Sequence, residues 1–229
     1  MIGGRSVLGV ITARGGSKGL PGKNLLPFRG RPLIAWTIDA AKGSKRIDRL
    51  ILSSDDPEII AVAESLGCEA PFRRTSSLSG DGASSIDVML DALDRIPGHG
   101  VVVLLQPTSP LRAAADIDGA IERMDRSGAP ACVSVCEAPS HPWLCFARDA
   151  RGRLDPFAEP PAGAGLRRQD LPAAWVLNGA VYAADAGWLR RERTFLRPGE
   201  TAAWEMPVDR SADIDTLEDF RAAERLAGG

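Results

Sequence analysis

Apolar residues along this chain fall into two alternating patterns. Short unbroken runs mark strands buried on both faces. Between them lie segments whose apolar positions recur every three or four residues, the mark of helices with one buried side. Val7–Thr12 is the first run and ends at a glycine-rich turn. Pro32 then opens a helix, with Leu33, Ile34, Trp36, Thr37 and Ala40 along one stripe. Arg49–Ser53 is the second strand. Ser54-Asp55-Asp56-Pro57 combines a capping residue, acidic residues and a proline just inside the first turn, which predicts a helix start. Ile59, Ile60, Ala63 and Leu66 continue that helix, and Gly67 ends it. Cys68–Phe72 reads as a third strand, and Ser85–Arg95 as a helix with Ile86, Met89, Leu90 and Leu93 on one side. Val101–Leu105 is the most hydrophobic run and is predicted to be central. A helix over Asp116–Arg126 and a strand over Ala131–Val135 follow.

This alternation implies an α/β domain with a largely parallel sheet and right-handed crossovers. It breaks at Glu137. From there to Pro172 the chain is rich in proline, glycine and arginine and has no clean period. A structureless loop of that length is out of place in a compact domain. The segment is expected to be an excursion with short strands of its own, or an arm ordered by a partner subunit. Trp175–Ala183 and Trp204–Val208 read as further strands. Leu217, Phe220, Ala223 and Leu226 give Asp215–Leu226 a helical period.

Composition narrows the class. A chain of 229 residues can bury a full core without disulfide or metal staples, and one domain is expected. No apolar run approaches a membrane span, and the N-terminus lacks the layout of a signal peptide, so the expectation is a cytoplasmic protein with no membrane partner. A net charge of −2 argues against a broad nucleic-acid surface. Cys68, Cys132, Cys136 and Cys145 form no CxxC pair, and only His99 and His141 could join them, so a Cys/His zinc site is not expected. Any metal should be hard, held by carboxylates and by a substrate phosphate.

The lysines change the picture most. There are four, against 24 arginines, and two of them, Lys18 and Lys23, fall in one loop. That loop, Ala13-Arg14-Gly15-Gly16-Ser17-Lys18-Gly19-Leu20-Pro21-Gly22-Lys23-Asn24, follows the first strand directly. Its glycines let backbone N–H groups turn toward a ligand, and Arg14, Lys18 and Lys23 add positive charge, which together suit a polyphosphate. Two familiar phosphate loops are excluded. The P-loop spacing needs a glycine where Ser17 stands, and the dinucleotide spacing finds no matching glycine trio here.

The same stretch resembles the signature of the CMP-sialic acid synthetases, the acylneuraminate cytidylyltransferases. The likeness recurs in order along nearly the whole chain. Ser53-Ser54-Asp55 resembles the end of the family's second strand, and Arg74 with Asp81-Gly82-Ala83-Ser84-Ser85 resembles its cytosine-reading segment. Leu105-Gln106-Pro107-Thr108-Ser109-Pro110-Leu111-Arg112 is close to a signature by itself. Arg168-Gln169-Asp170-Leu171-Pro172, Leu177-Asn178-Gly179-Ala180-Val181-Tyr182 and Asp213-Ile214-Asp215-Thr216 complete the series.

The resemblance implies a three-layer Rossmann-like nucleotidyltransferase fold of the nucleotide-diphospho-sugar transferase type, with a mainly parallel sheet and a small dimerisation subdomain. One cytidylyltransferase domain would span 1–229, with 137–172 as the dimerisation excursion of a homodimer. The implied reaction is attack by an acid acceptor on the α-phosphate of CTP, with loss of pyrophosphate. By resemblance, Arg14, Lys18 and Lys23 hold the triphosphate with Gly15, Gly16 and Ser17. Arg74, Ala83 and Ser85 read the cytosine, and Asn24 contacts base or ribose. Gln106, Arg168 and Asn178 face the acceptor. Asp213 and Asp215 hold Mg²⁺ or Mn²⁺, and with Arg14 and Lys23 they form the catalytic set. From the residues alone, other readings stay open. Asp213 and Asp215 also suit an acidic first helical turn, Ser84 and Ser85 suit a helix cap, and Gln106 suits a polar strand terminus before a proline turn.

The pattern departs from the sialic acid enzymes at the acceptor end. The run His141-Pro142-Trp143-Leu144-Cys145-Phe146 carries no lysine, and Val176 stands where the family often has arginine. The CTP-facing motifs are intact. This combination points to an acceptor other than ordinary N-acetylneuraminate: a legionaminic or pseudaminic acid, a different ketoacid sugar, or a small phosphonate. Arg148, Arg151, Arg153, Arg167 or Arg168 would replace the missing cations. Two further alternatives are a sugar-1-phosphate nucleotidyltransferase and a nucleotide-binding subunit without turnover.

Overall fold

Every residue of Val101–Leu105 is buried, and the sheet extends to both sides of it. The computed structural model describes residues 1–228 except Ser17, Lys18, Asp81, Ala162 and the side chain of Arg168. Among the described residues the strands are, in chain order, β1 (Val7–Thr12), β2 (Pro27–Phe28), β3 (Arg31–Pro32), β4 (Arg49–Ser53), β5 (Val101–Leu105), β6 (Ala131–Glu137), β7 (Phe146–Arg148), β8 (Leu154–Pro156), β9 (Trp175–Asp185) and β10 (Thr201–Glu205). The helices are α1 (Leu33–Lys42), α2 (Pro57–Ser65), α3 (Ser85–Arg95), α4 (Ala114–Ser127), α5 (Ala186–Glu192) and α6 (Leu217–Leu226). The main sheet has the order β10-β6-β9-β5-β1-β4. All its strands run parallel except β9, which is antiparallel to both β5 and β6.

Three layers follow from the period of two along the strands. Val7 and Ile11 of β1 and Val101, Val103 and Leu105 of β5 share one apolar layer with Ile34 and Ile38 of α1, Ile59 of α2 and Ile117 of α4. Leu8, Val10, Val102 and Leu104 point the other way, onto Met89 and Leu93 of α3 and Trp188 and Leu189 of α5. Burial of each such side chain is worth about 1.5–3 kcal/mol, so a one-residue slip of β1 or β5 would exchange the two layers and is strongly disfavoured. A third cluster lies beyond the sheet. Phe28 sits edge-on to Trp36 and Phe220, with ring centroids 5.7 and 5.5 Å away, and Leu33, Ile214 and Ala223 fill the space around it. This cluster brings the start of α6 beside the glycine-rich loop.

Several expectations need correction. Cys68–Phe72 is not a strand. It runs along β4 with only isolated bridges, Ile51 to Glu69 and Ser54 to Arg73, because Pro71 between them has no N–H to continue a ladder. The strand expected over Trp204–Val208 spans Thr201–Glu205 instead, paired with β6, and Pro207 turns the chain away. Helix α5 was not anticipated, although Asp185 caps it by accepting from Trp188 N–H at 2.8 Å. The last helix begins at Leu217, so Asp213 and Asp215 precede it. The excursion forms the two-stranded β7–β8 ladder and short 3-10 turns, and every residue of both strands is exposed. Among the described residues, no helix is long and apolar enough to cross a membrane.

Candidate active site

Parallel strands β1, β4 and β5 end on the same side of the sheet. From β1 the chain passes to β4 on one flank, and β5 lies on the other, so the ends of β1 and β5 flank the switch point where open α/β sheets bind ligands. A cleft of about 710 Å³ opens there. Arg14, Lys23, Asn24, Arg74, Ala83, Ser85, Gln106, Asp213 and Asp215 all line it, although they are scattered over two hundred positions of sequence. Ser17 and Lys18 lie outside the described residues, as does the Arg168 side chain.

The loop after β1 is tied down on two sides. Asp55 Oδ1 accepts from Gly15 N–H at 3.2 Å and lies 3.5 Å from an Arg74 nitrogen, joining the loop to that arginine. Asn24 is buried and donates to the Arg14 carbonyl at 3.0 Å, so its amide shapes the loop from within. A side chain on Gly19 would run into the Asp215 carbonyl; only glycine lets the loop lie against that main chain. Gly16 borders open space. Lys23 crosses to the same segment, donating to Ile214 O at 2.9 Å and to Asp215 Oδ1 at 2.8 Å.

Arg74 is the most buried cation of the cleft, with its side chain 4% exposed. Burial lowers its pKa, and Asp55 opposes that shift. Its Nε has no hydrogen-bond partner among the described residues, which leaves a desolvated donor beside the cleft. The two serines divide the roles left open by the sequence. Ser84 caps α3, accepting from Asp87 N–H at 3.1 Å, while Ser85 lines the cleft at the first helical position.

Asp213 faces the open cleft, yet the walls strip part of its hydration. That desolvation is the main cause raising its pKa. A hydrogen bond from Thr108 opposes the shift, and the Asp215 carboxylate adds to it. The acidic first turn of α6 is filled by Glu218 and Asp219 instead, with Thr216 as cap. Ile214 N–H donates to Thr108 O at 2.9 Å, fastening the Asp213–Asp215 segment to the loop after β5.

Asn178 behaves differently from the other candidates. It is buried, its Oδ1 accepts from Ser134 Oγ at 2.6 Å, and its Nδ2 donates to Ser211 Oγ at 2.9 Å. It borders a second cleft of about 480 Å³, lined also by Cys136, Pro139, Val176 and Val208, which meets the first at Leu177 and Asp213. Thr108, Gly179 and Tyr182 line the main cleft but were not selected as site residues. All three lie in stretches that carry the family likeness, but a threonine, a glycine and a tyrosine bear no charge that marks them as site residues in the sequence.

Comparison with known proteins places this geometry. A family model described as Cytidylyltransferase matches residues 8–140. An N-acylneuraminate cytidylyltransferase of Streptococcus agalactiae is 36% identical over 215 residues, covering 92% of this chain and 51% of that protein. The chain thus spans about half the length of that relative. A pseudaminic acid cytidylyltransferase of Campylobacter jejuni is 33% identical over 222 residues, covering 95% of this chain and 94% of that one. Among solved structures, a CMP:2-keto-3-deoxy-manno-octonic acid synthetase complexed with CTP shares the fold, with a TM-score of 0.73 at 18% identity over 97% of this chain and 98% of that chain.

Proposed function

Because the chain belongs to the cytidylyltransferase family, we propose that it transfers the cytidylyl group of CTP to an acid acceptor of the nonulosonic type and releases pyrophosphate. The observation that carries this reading is the single cleft in which Arg14, Lys23 and Arg74 meet Asp213, Asp215 and Gln106. An acceptor oxygen attacks the α-phosphorus, and the bond to the β-phosphate oxygen breaks. The barrier comes from bringing two anions together and from charge gathering on the leaving group, so fixed cations and positioning supply the catalysis. Arg14 and Lys23 neutralise the triphosphate and the departing pyrophosphate. Arg74 and the Ala83–Ser85 turn read the base. The unpaired Nε of Arg74 supplies a donor for a pyrimidine carbonyl.

Asp213 and Asp215 suit a divalent cation. The donors are all oxygen, which selects a hard ion, and the pKa of Asp213 is raised by desolvation and a neighbouring carboxylate, a charge conflict that a cation relieves. Among the described residues no cluster of three or more His, Cys, Asp or Glu side chains gathers to hold a metal, so phosphate oxygens and water complete the proposed shell. Bound there, Mg²⁺ or Mn²⁺ would supply charge neutralisation at the phosphates.

The acceptor is the part least like the sialic acid enzymes. Among the described residues the second cleft has no lysine or arginine in its wall, where Val176 and Val208 stand beside Glu137, Asn178, Ser211 and Asp213. The proposal is a less ordinary nonulosonic acid, such as the pseudaminic acid named for the Campylobacter relative. Pyrophosphate release from CTP with pseudaminic, N,N′-diacetyllegionaminic and N-acetylneuraminic acids and a small phosphonate tests it. Release with a nonulosonic acid is expected; release with none of the three sinks the acceptor class.

The base-reading assignment has its own test. Calorimetric titration in the presence of Mg²⁺ is expected to favour CTP over UTP by at least about tenfold, the value of one to two good hydrogen bonds to the base. Arg74→Ala is expected to remove most of that preference. Equal affinity of the unaltered protein for CTP, UTP and ATP would show that Arg74 and Ser85 do not read cytosine.

The excursion is proposed to be a dimerisation arm. Leu144, Phe146, Leu154 and Phe157 are exposed on it, and its two short strands have no core of their own. A second copy of the chain would bury them, and arginines of the arm would bring countercharge to the acid acceptor. Light scattering at micromolar concentration is expected to give about twice the mass of one chain; a fully active monomer would contradict the arm's role. Cytoplasmic location, where the nucleotide donor is available, belongs to the same proposal.

A further inference from the structure

The β5–β9 ladder stops at Leu104 and Tyr182. Two more residues in the same register would set Gln106 opposite Ala180. A side chain occupies that place. Arg112 Nη1 donates to the carbonyls of both residues, Gln106 at 3.3 Å and Ala180 at 2.5 Å, and its Nη2 donates to Thr37 Oγ1 at 2.7 Å. On the other flank of β9 the register with β6 shifts between Val133 and Val135. Ser134 Oγ fills that gap, accepting from Val181 N–H at 2.7 Å and donating to Asn178 Oδ1 at 2.6 Å. β9 is therefore released from both neighbours around Gly179. There φ is +74°, and an added Cβ would stand 3.0 Å from Asp213 Oδ2 and 3.1 Å from Gln106 Oε1. The opening between Gln106 and Gly179 is where the sheet becomes the wall of the cleft.

Arg112 is an expensive way to hold that opening. It is 3% exposed, its Nε has no partner among the described residues, and the carboxylate of Asp116 is taken by Arg210 at 2.9 and 3.0 Å. Burial lowers its pKa to about 10, against the pull of Asp116. A methionine would fill the volume without burying a charge. What a methionine lacks is the planar fork that spans two carbonyls and a hydroxyl at once.

We propose that Arg112 is a positioning residue for the acceptor: its guanidinium replaces a backbone rung and sets the gap between Gln106 and Gly179. The assignment rests on the cytidylyl-transfer reading for its kinetic consequences and on the hydrogen-bond geometry for its structural one. Arg112→Lys keeps the charge and loses the fork; Arg112→Met loses both. In the full chain, with pseudaminic acid as acceptor and CTP and Mg²⁺ saturating, Arg112→Lys is expected to raise the acceptor KM about tenfold while kcat falls less than about threefold. CTP affinity by calorimetry should stay within about twofold, because the cytidine-facing residues are not touched by the fork. Arg112→Met is expected to lose more at the acceptor and still bind CTP. Hydrogen exchange in the CTP-bound protein should quicken over residues 176–182 and stay unchanged over α3. A Lys variant whose CTP affinity falls in step with the acceptor KM, or whose exchange over 176–182 is unaltered, overturns the proposal. If the unaltered protein does not turn over pseudaminic acid, that counts against the acceptor reading, and the exchange comparison still decides for or against Arg112.

Discussion

Asp215→Asn is expected to leave the fold intact and to lower turnover by about 10²–10³-fold, the usual cost of removing one electrostatic contact to the reacting groups. The fold survives because the Asp215 side chain is 74% exposed and lies outside α6, whose cap is made by Thr216 and Asp219. On the proposed metal role the chemistry should suffer, because a neutral amide is a weaker ligand for a hard cation than a carboxylate. Asp213→Asn should act in the same direction. Its carboxyl is accompanied by Thr108, so the amide has a place to sit without disturbing the segment. Thermal melting and pyrophosphate release at saturating Mg²⁺ measure the two effects separately. Excess EDTA should abolish activity, and a zinc-selective chelator at concentrations that spare Mg²⁺ should not. Near-native kcat in both variants would place the metal elsewhere.

Lys23→Met is expected to lower turnover by a similar ~10²–10³-fold and to weaken CTP binding by about tenfold. Lys23 has two tasks. Its ammonium lines the cleft, where it is proposed to meet the triphosphate, and it holds the segment carrying Asp213 and Asp215 through Ile214 O and Asp215 Oδ1. The side chain is only 14% exposed, so the charge is less screened than that of a surface lysine. If the two residues act as one unit, the double variant Lys23→Met/Asp215→Asn should be little worse than the poorer single one. Strict additivity would mean that the contact between them has no part in turnover. Full activity of Lys23→Met would remove the loop from the mechanism.

Both predictions depend on residues whose proposed roles were suggested by the sequence before the fold was known, and the reason is local. Arg14 and Lys23 sit in a loop whose glycines and cations are close in sequence, so the common purpose proposed for them is suggested within a short stretch. Asp213 and Asp215 were visible as a pair but ambiguous, because acidic residues before a helix also serve its dipole. The structure removes the helical alternative. Phe28 and Phe220 bring the segment to Lys23, and Glu218 and Asp219 take the helical turn.

The bounds of β4, α3 and β5 follow from the residues themselves, since a strand buried on both faces and a capped amphipathic helix each carry their signal within a few positions. The glycine-rich loop after β1 belongs to the same class of information. Tertiary structure alone decides what depends on a distant partner. An apolar run does not encode direction, so the antiparallel course of β9 emerges only when β5 and β6 flank it. Cys68–Phe72 has strand-forming residues but meets β4 across a proline, and the ladder fails there. Asn178 and Gly179 are adjacent in sequence, yet the register shift beside Ser134 turns one into the interior and the other into the cleft. Arg112 reads as one more arginine until Gln106 and Ala180 stand on either side of it. Periodicity and caps are properties of neighbours along the chain, whereas hydrogen-bond pairing and the meeting of charges are properties of neighbours in space.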